Sequence, residues 1–117
     1  MTKDYEIYVE DMLESIELIF NYTHDKSEVQ FSKDSELQDA VVRRLGIIGE
    51  AASRLSKEIR DKATGIPWKS VIGLRNIIIH EYSNVSLGKV WDVIQNDLPP
   101  LKSNLQQLIL LLKEEKI

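Results

Sequence analysis

The chain contains no cysteine. Disulfides and thiolate metal sites are thereby excluded, and a reducing compartment is the natural expectation. Long apolar runs are absent as well: the longest, residues 108–112, is far too short to span a bilayer. The N-terminus, Met1-Thr2-Lys3-Asp4-Tyr5-Glu6, lacks the cationic-then-apolar order of a secretory signal. These absences predict a soluble, cytoplasmic protein. Excess positive charge is also missing, since 15 Lys and Arg stand against 19 Asp and Glu, a net charge of −4. Proteins that hold nucleic acid regardless of sequence gain most of their affinity by neutralising phosphates, and are usually basic. The balance argues against a long, tight polyanion footprint and leaves room for a small cluster gripping one or two phosphates. Histidine is scarce too, with only His24 and His80.

What is present is helical periodicity. At 117 residues the chain makes one domain, residues 1–117, with a real core. Apolar residues recur at steps of three and four almost throughout, with no convincing period-two strand. A first helix is predicted over residues 3–22, with Tyr5, Tyr8, Val9, Met12, Leu13, Ile16, Ile19 and Phe20 on one stripe. Residues 23–35 are polar and read as a loop, from which Val29 and Phe31 could pack back. A second helix starts at 34 or 35 and reaches about 61, its seam formed by Leu37, Val41, Leu45, Ile48, Ala52, Leu55 and Ile59. At 1.5 Å per residue it would be about 40 Å long. Gly65 ends that region, and Pro67 suits the first turn of a third helix. This one carries Trp68, Val71, Ile72, Leu74, Ile78 and Ile79 and ends between 80 and 83. Ser86 is the expected N-cap of a fourth helix with Leu87, Val90, Trp91 and Ile94. Pro99 and Pro100 are tolerable only in a first turn. They therefore open a last helix over about 98–115, which buries Leu101, Leu105, Leu108 and Leu112. Short connections favour antiparallel neighbours, so the expected fold is an all-α, antiparallel up-down bundle of four to five helices.

The segment with most chemistry is Arg75-Asn76-Ile77-Ile78-Ile79-His80-Glu81-Tyr82. His80 follows three isoleucines, an odd place for a solubilising side chain. A purely structural role remains open for each residue: Arg75 paired with an acid such as Glu50, His80 at a helix end, Tyr82 at the core edge. On an ideal α-helix Arg75 and Tyr82 fall about 20° short of two full turns and share a face. Asn76 and His80, four apart, are neighbours. Arg75 and His80, however, diverge by about 140°. Either the helix end distorts or a second copy completes the site. A two-fold homodimer with these helices facing would set each Arg75 near the partner's His80.

An imidazole titrating near pH 6.5 serves as acid or base close to neutrality. An arginine fork stabilises charge developing on a phosphate. Asn76 would orient the imidazole. These types suit metal-independent attack by an RNA 2′-hydroxyl on its adjacent phosphate, giving a 2′,3′-cyclic phosphate and a 5′-hydroxyl. No metal-ligand cluster and no cofactor motif is evident in the sequence.

The R-x4-H-x-Y pattern resembles the signature of the HEPN superfamily, in its HepT-like toxin branch. The likeness runs from about 35 to 105. It takes in Gln38-Asp39-Ala40-Val41-Val42-Arg43-Arg44-Leu45, Ile47-Ile48-Gly49-Glu50-Ala51-Ala52, Ile66-Pro67-Trp68, Val90-Trp91 and Asp97-Leu98-Pro99-Pro100-Leu101. The resemblance implies an all-helical homodimer that is the toxin half of a toxin–antitoxin pair and a ribonuclease acting on RNA. The implied partner is a minimal nucleotidyltransferase antitoxin of the MntA type. Arg75 and His80 would be the ribonuclease pair, Asn76 a supporting residue, and Tyr82 the residue to which the antitoxin attaches AMP. AMP there adds bulk and phosphate charge where the RNA phosphate must sit. Glu81 occupies a variable position.

Three further sets of residues carry expectations. Gly46, Gly49 and Gly73 lie inside predicted helices at a cost of about 1 kcal/mol each against alanine, which favours close helix approach. Glu50 is either a partner that steadies Arg75 or a solvated helix residue. Arg43, Arg44, Arg54, Lys57 and Lys69 are candidates for a local basic patch, with a solvated face the more common reading; His24, in a polar loop, has no expected role. Two competing functions stand beside the nuclease: a non-catalytic HEPN module that holds nucleotide, RNA or its transferase partner, and a plain helical interaction domain. The intact Arg75, Asn76, His80 and Tyr82 set favours the enzyme; the acidic balance favours the others.

Overall fold

The computed structural model describes residues 2–80 and 84–115, with side chains for all of these except 2–3, 78–80 and 84–86. The described residues form helices and connecting turns, with no strand among them. Helix α1, Thr2–Thr23, spans the expected stretch. Val9, Met12, Ile16 and Ile19 are fully buried at spacings of three and four, while Tyr5, Tyr8, Leu13 and Phe20 pack at the margin of the core. Its end is closed by the Thr23 hydroxyl, which donates to the Ile19 carbonyl at 2.8 Å.

The segment expected to be a loop contains a short helix, α2, Glu28–Ser32. A capping box explains it: the Ser27 hydroxyl accepts from Gln30 N–H, and the Gln30 side chain accepts from Ser27 N–H. This turn drives Phe31 into the core, its ring 5.5 Å from that of Trp91, whereas Val29 points to solvent. Helix α3, Ser35–Ser53, starts on an Asp34 cap that accepts from Leu37 N–H at 3.0 Å.

α3 stops at Ser53 rather than running on to about 61, so it is about 28 Å long. Arg54 and Leu55 close it with bonds back to the Ala51 and Ala52 carbonyls. Ser56 then caps a new helix, α4, Lys57–Arg60, by accepting from Ile59 N–H. Leu55 and Ile59 are both buried, so the apolar spacing continues across a break in the backbone. After a 3₁₀ turn, Asp61–Ala63, the Trp68 indole donates to the Arg60 and Ala63 carbonyls at 3.0 and 3.1 Å. That pair of bonds fastens the connection onto helix α5, Trp68–Ile72.

From Gly73 to His80 the chain winds as a 3₁₀ helix eight residues long, where runs beyond three or four residues are uncommon. Helix α6 covers Asn84–Asp92, so Ser86 lies inside it and not at its N-cap. A five-residue π segment, Val93–Asp97, leads directly into α7, Leu98–Glu114, with Leu98 N–H donating to the Val93 carbonyl. Proline cannot donate, and its ring crowds the carbonyl four residues back. The wider turn just ahead of Pro99 and Pro100 is where that conflict is absorbed.

Leu101, Leu105, Leu108 and Leu112 of α7 are buried as expected, with Leu98 added. Lys102 of α7 meets Glu17 of α1 at 2.8 Å, early in one helix against late in the other, so these two run antiparallel. Lys62 and Glu115 pair at 2.8 Å and tie the 3₁₀ turn to the end of α7; the carboxylate raises the Lys62 ammonium above its ordinary pKa. Among the described residues the all-α bundle is built mainly from α1, α3, the α5–3₁₀ segment, α6 and α7, with α2 and α4 as short additions. No described helix is long and apolar enough to cross a membrane.

Candidate active site

The candidate site forms where the 3₁₀ helix crosses the C-terminal half of α3. Gly49, buried in α3, makes that crossing possible. A Cβ built on Gly49 would stand 2.6 Å from the Arg75 nitrogen, 2.9 Å from the Ile72 oxygen and 3.1 Å from the Arg75 Cβ. Two backbones touch here with no room for a methyl group. The close approach expected of the helical glycines holds at Gly49. It does not hold at Gly73, where an added Cβ meets nothing within 4 Å.

One residue along, Glu50 uses both carboxylate oxygens. Oε1 lies 3.5 Å from an Arg75 guanidinium nitrogen, and Oε2 lies 3.5 Å from one of Arg54. Glu50 meets both of its readings, pairing with Arg75 while its side chain stays 53% exposed. The side chains are half exposed, 45% for Arg75, 53% for Glu50 and 58% for Arg54. Exposed pairs of this kind contribute about 0–1 kcal/mol. The count of charges matters more: two guanidiniums share one carboxylate. Arg75 is 45% exposed, so its guanidinium retains donors that face solvent.

The remaining motif residues are placed less fully. Asn76 is exposed beside Arg75. His80 closes the 3₁₀ helix, and its side chain lies outside the described set, as do the side chains of Ile78 and Ile79. Tyr82, with Glu81 and Ser83, lies outside the described residues altogether. The 3₁₀ winding changes the expected register. At three residues per turn, positions i and i+3 eclipse, so Asn76 is not stacked one α-turn beneath position 80. Positions 75 and 80 stand about 120° apart around the axis, close to the α-helical separation. The helix does distort, and the distortion does not bring the two positions onto one side.

Of the basic candidates, Arg54 joins the site through Glu50, whereas Lys57 pairs with Asp61 at 2.9 Å. Arg43 and Lys69 are exposed and make no ion pair among the described residues. His24 lies 3.3 Å from its neighbour Asp25 on the surface. Arg54 was visible only as one of several cations; its spacing of four from Glu50 on a helix was the available signal.

Comparison with known proteins identifies the family. A family model described as Ribonuclease HepT-like matches residues 12–108. A Methanocaldococcus jannaschii protein named "Gamma-glutamylcyclotransferase and putative RNase" is 47% identical over 109 residues, covering 93% of this chain and 49% of that protein. The chain thus spans about half the length of that relative. A "Putative RNase" of Caldanaerobacter subterraneus subsp. tengcongensis is 36% identical over 102 residues, 87% of this chain and 91% of its own length. A "Probable ribonuclease HepT" of Thermococcus cleftensis is 33% identical over 108 residues, 92% and 98% of the two chains. No solved structure matches the chain. The match covers most of the sequence and includes both the 3₁₀ helix with Arg75 and the α3 segment that holds it. The chain belongs to the HepT-like ribonuclease family, and the ribonuclease expected from its sequence stands at the level of that family.

Proposed function

We propose that the protein is a metal-independent RNA endonuclease and the toxin half of a toxin–antitoxin pair. Its 2′-hydroxyl chemistry needs a base for the attacking oxygen and positive charge on the phosphate. His80 takes the 2′-hydroxyl proton as the 2′-oxygen bonds to phosphorus. The P–O5′ bond then breaks, and the departing oxygen receives a proton from the imidazolium or from water. Arg75 stabilises the pentavalent phosphorus, and Asn76 is the supporting residue. The observation that carries this reading is the arginine held half exposed at 3.5 Å from Glu50, over a backbone contact that only Gly49 permits.

Positions 75 and 80 diverge on one helix, so the complete site is shared between two copies in a homodimer, each Arg75 beside the partner's His80. The regulatory partner is a minimal nucleotidyltransferase that transfers AMP to Tyr82, placing phosphate charge and bulk against incoming RNA. Growth measurements test these points together. Expression in bacteria is expected to arrest growth, and His80→Ala at equal soluble level is expected to relieve the arrest. Co-expression with a neighbouring nucleotidyltransferase restores growth to wild type but not to Tyr82→Phe. Equal toxicity of wild type and His80→Ala, or soluble wild type without effect, would count against the nuclease. Rescue of Tyr82→Phe would remove the switch.

A further inference from the structure

Next to the Arg75–Glu50 pair, α1 and α3 leave a hollow of about 160 Å³ lined by Tyr8, Asp11, Ile47, Glu50, Ala51 and Arg54. Residues 47, 50, 51 and 54 share one face of α3, and residues 8 and 11 lie one turn apart on α1. The hollow is too small for a whole nucleotide or a drug-sized ligand and is on the scale of one planar base. Ile47, Ala51 and Tyr8 supply apolar and aromatic surface. Asp11, Glu50 and Arg54 supply the polar rim.

The two carboxylates are not equivalent. Glu50 is committed to Arg54 and Arg75 at 3.5 Å each. Asp11 is exposed and makes no ion pair among the described residues. An ionised carboxylate only accepts hydrogen bonds, so a group bound against Asp11 meets it with donors. Bases of single-stranded RNA are read on their Watson–Crick edges and stacked on aromatic rings. Guanine presents N1–H and N2–H₂ side by side, matching the two oxygens of one carboxylate. Uracil presents one N–H between two carbonyls, which a carboxylate repels.

We propose that this hollow is a nucleobase subsite that selects guanine beside the cleaved phosphate, with Asp11 as the specificity-determining residue. Tyr8 forms the stacking surface, and Arg54 covers the outer edge, where guanine O6 accepts. The location rests on the nuclease reading, since the hollow shares Glu50 with Arg75. The base preference rests on the hollow alone.

The test uses 2′-O-methyl tetranucleotides, which cannot undergo 2′-attack, differing only in guanine or uracil at one position. Binding to the full chain is measured by calorimetry. A good bidentate pair discriminates by roughly 5- to 150-fold, so wild type is expected to bind the guanine oligomer about tenfold more tightly. Asp11→Asn is expected to remove that difference, and Lys26→Ala, at an exposed residue that does not line the hollow, to keep it. Equal affinity for both oligomers, or a difference that survives Asp11→Asn, overturns the subsite. Cleavage of matching unmethylated RNA is followed in parallel. Guanine preference without any cleavage supports the subsite and removes the nuclease; cleavage without preference does the reverse.

Discussion

Arg75→Ala is expected to lower RNA cleavage about 10²- to 10³-fold, the usual loss when a donor to developing transition-state charge is removed. Folding should hardly change. The side chain is half exposed, its ion pair is worth at most about 1 kcal/mol, and Glu50 retains Arg54 at 3.5 Å. Thermal unfolding of the variant beside steady-state cleavage separates the two effects. Arg75→Lys should recover only part of the rate, because an ammonium supplies charge without the planar fork. The same variant tests the shared cleft. Arg75→Ala protein mixed with His80→Ala protein, after subunits exchange, yields half heterodimers with one intact site each. About a quarter of wild-type activity should return. No recovery from two folded, exchanging variants would place Arg75 and His80 of one chain in one site.

Gly49→Ala carries the second large effect. Its new Cβ would stand 2.6 Å from Arg75 N and 2.9 Å from Ile72 O. Both are backbone atoms, which cannot rotate aside, so the crossing must open. Overpacking of this kind costs about 1–3 kcal/mol, partly offset by about 1 kcal/mol of helix propensity gained over glycine. The net expectation is lower stability by up to about 2 kcal/mol, with cleavage reduced further because Arg75 moves with its backbone. Gly73→Ala is the matching control. Nothing lies within 4 Å of its added Cβ and its backbone is right-handed, so it should be neutral or slightly stabilising. Chemical denaturation of both variants reads the contrast; a Gly49→Ala protein as stable as Gly73→Ala would show that the crossing yields.

The elements legible from the sequence are those whose packing face is long and regular. α1 and α7 repeat their apolar residues over four or more turns, and every leucine expected in the α7 seam is buried. The end of α3 was hidden because Leu55 and Ile59 keep the helical period across the break, while the Ser56 cap is one polar residue among several. The Ser27–Gln30 capping box was present in the sequence, but a five-residue helix is too short to show periodicity. The 3₁₀ winding of residues 73–80 could not be read, since eight residues do not separate a period of 3.0 from one of 3.6. At the site, Arg75 was visible and so was Glu50 as one possible partner. What fixed the choice was a contact 25 residues away in sequence, set by a glycine whose meaning appears only when two backbones meet. Tyr8 and Asp11 gave no functional signal, because Tyr8 fits the core stripe of α1 and Asp11 its solvated face.

Incubating purified protein with RNA in excess EDTA, and identifying both new ends, bears most directly on Arg75 and His80 as a metal-independent pair. Wild type is expected to cleave under chelation and leave 2′,3′-cyclic phosphate and 5′-hydroxyl ends, with His80→Ala inactive at the same concentration. Cleavage that requires added Mg²⁺ and leaves 5′-phosphate ends would contradict that chemistry.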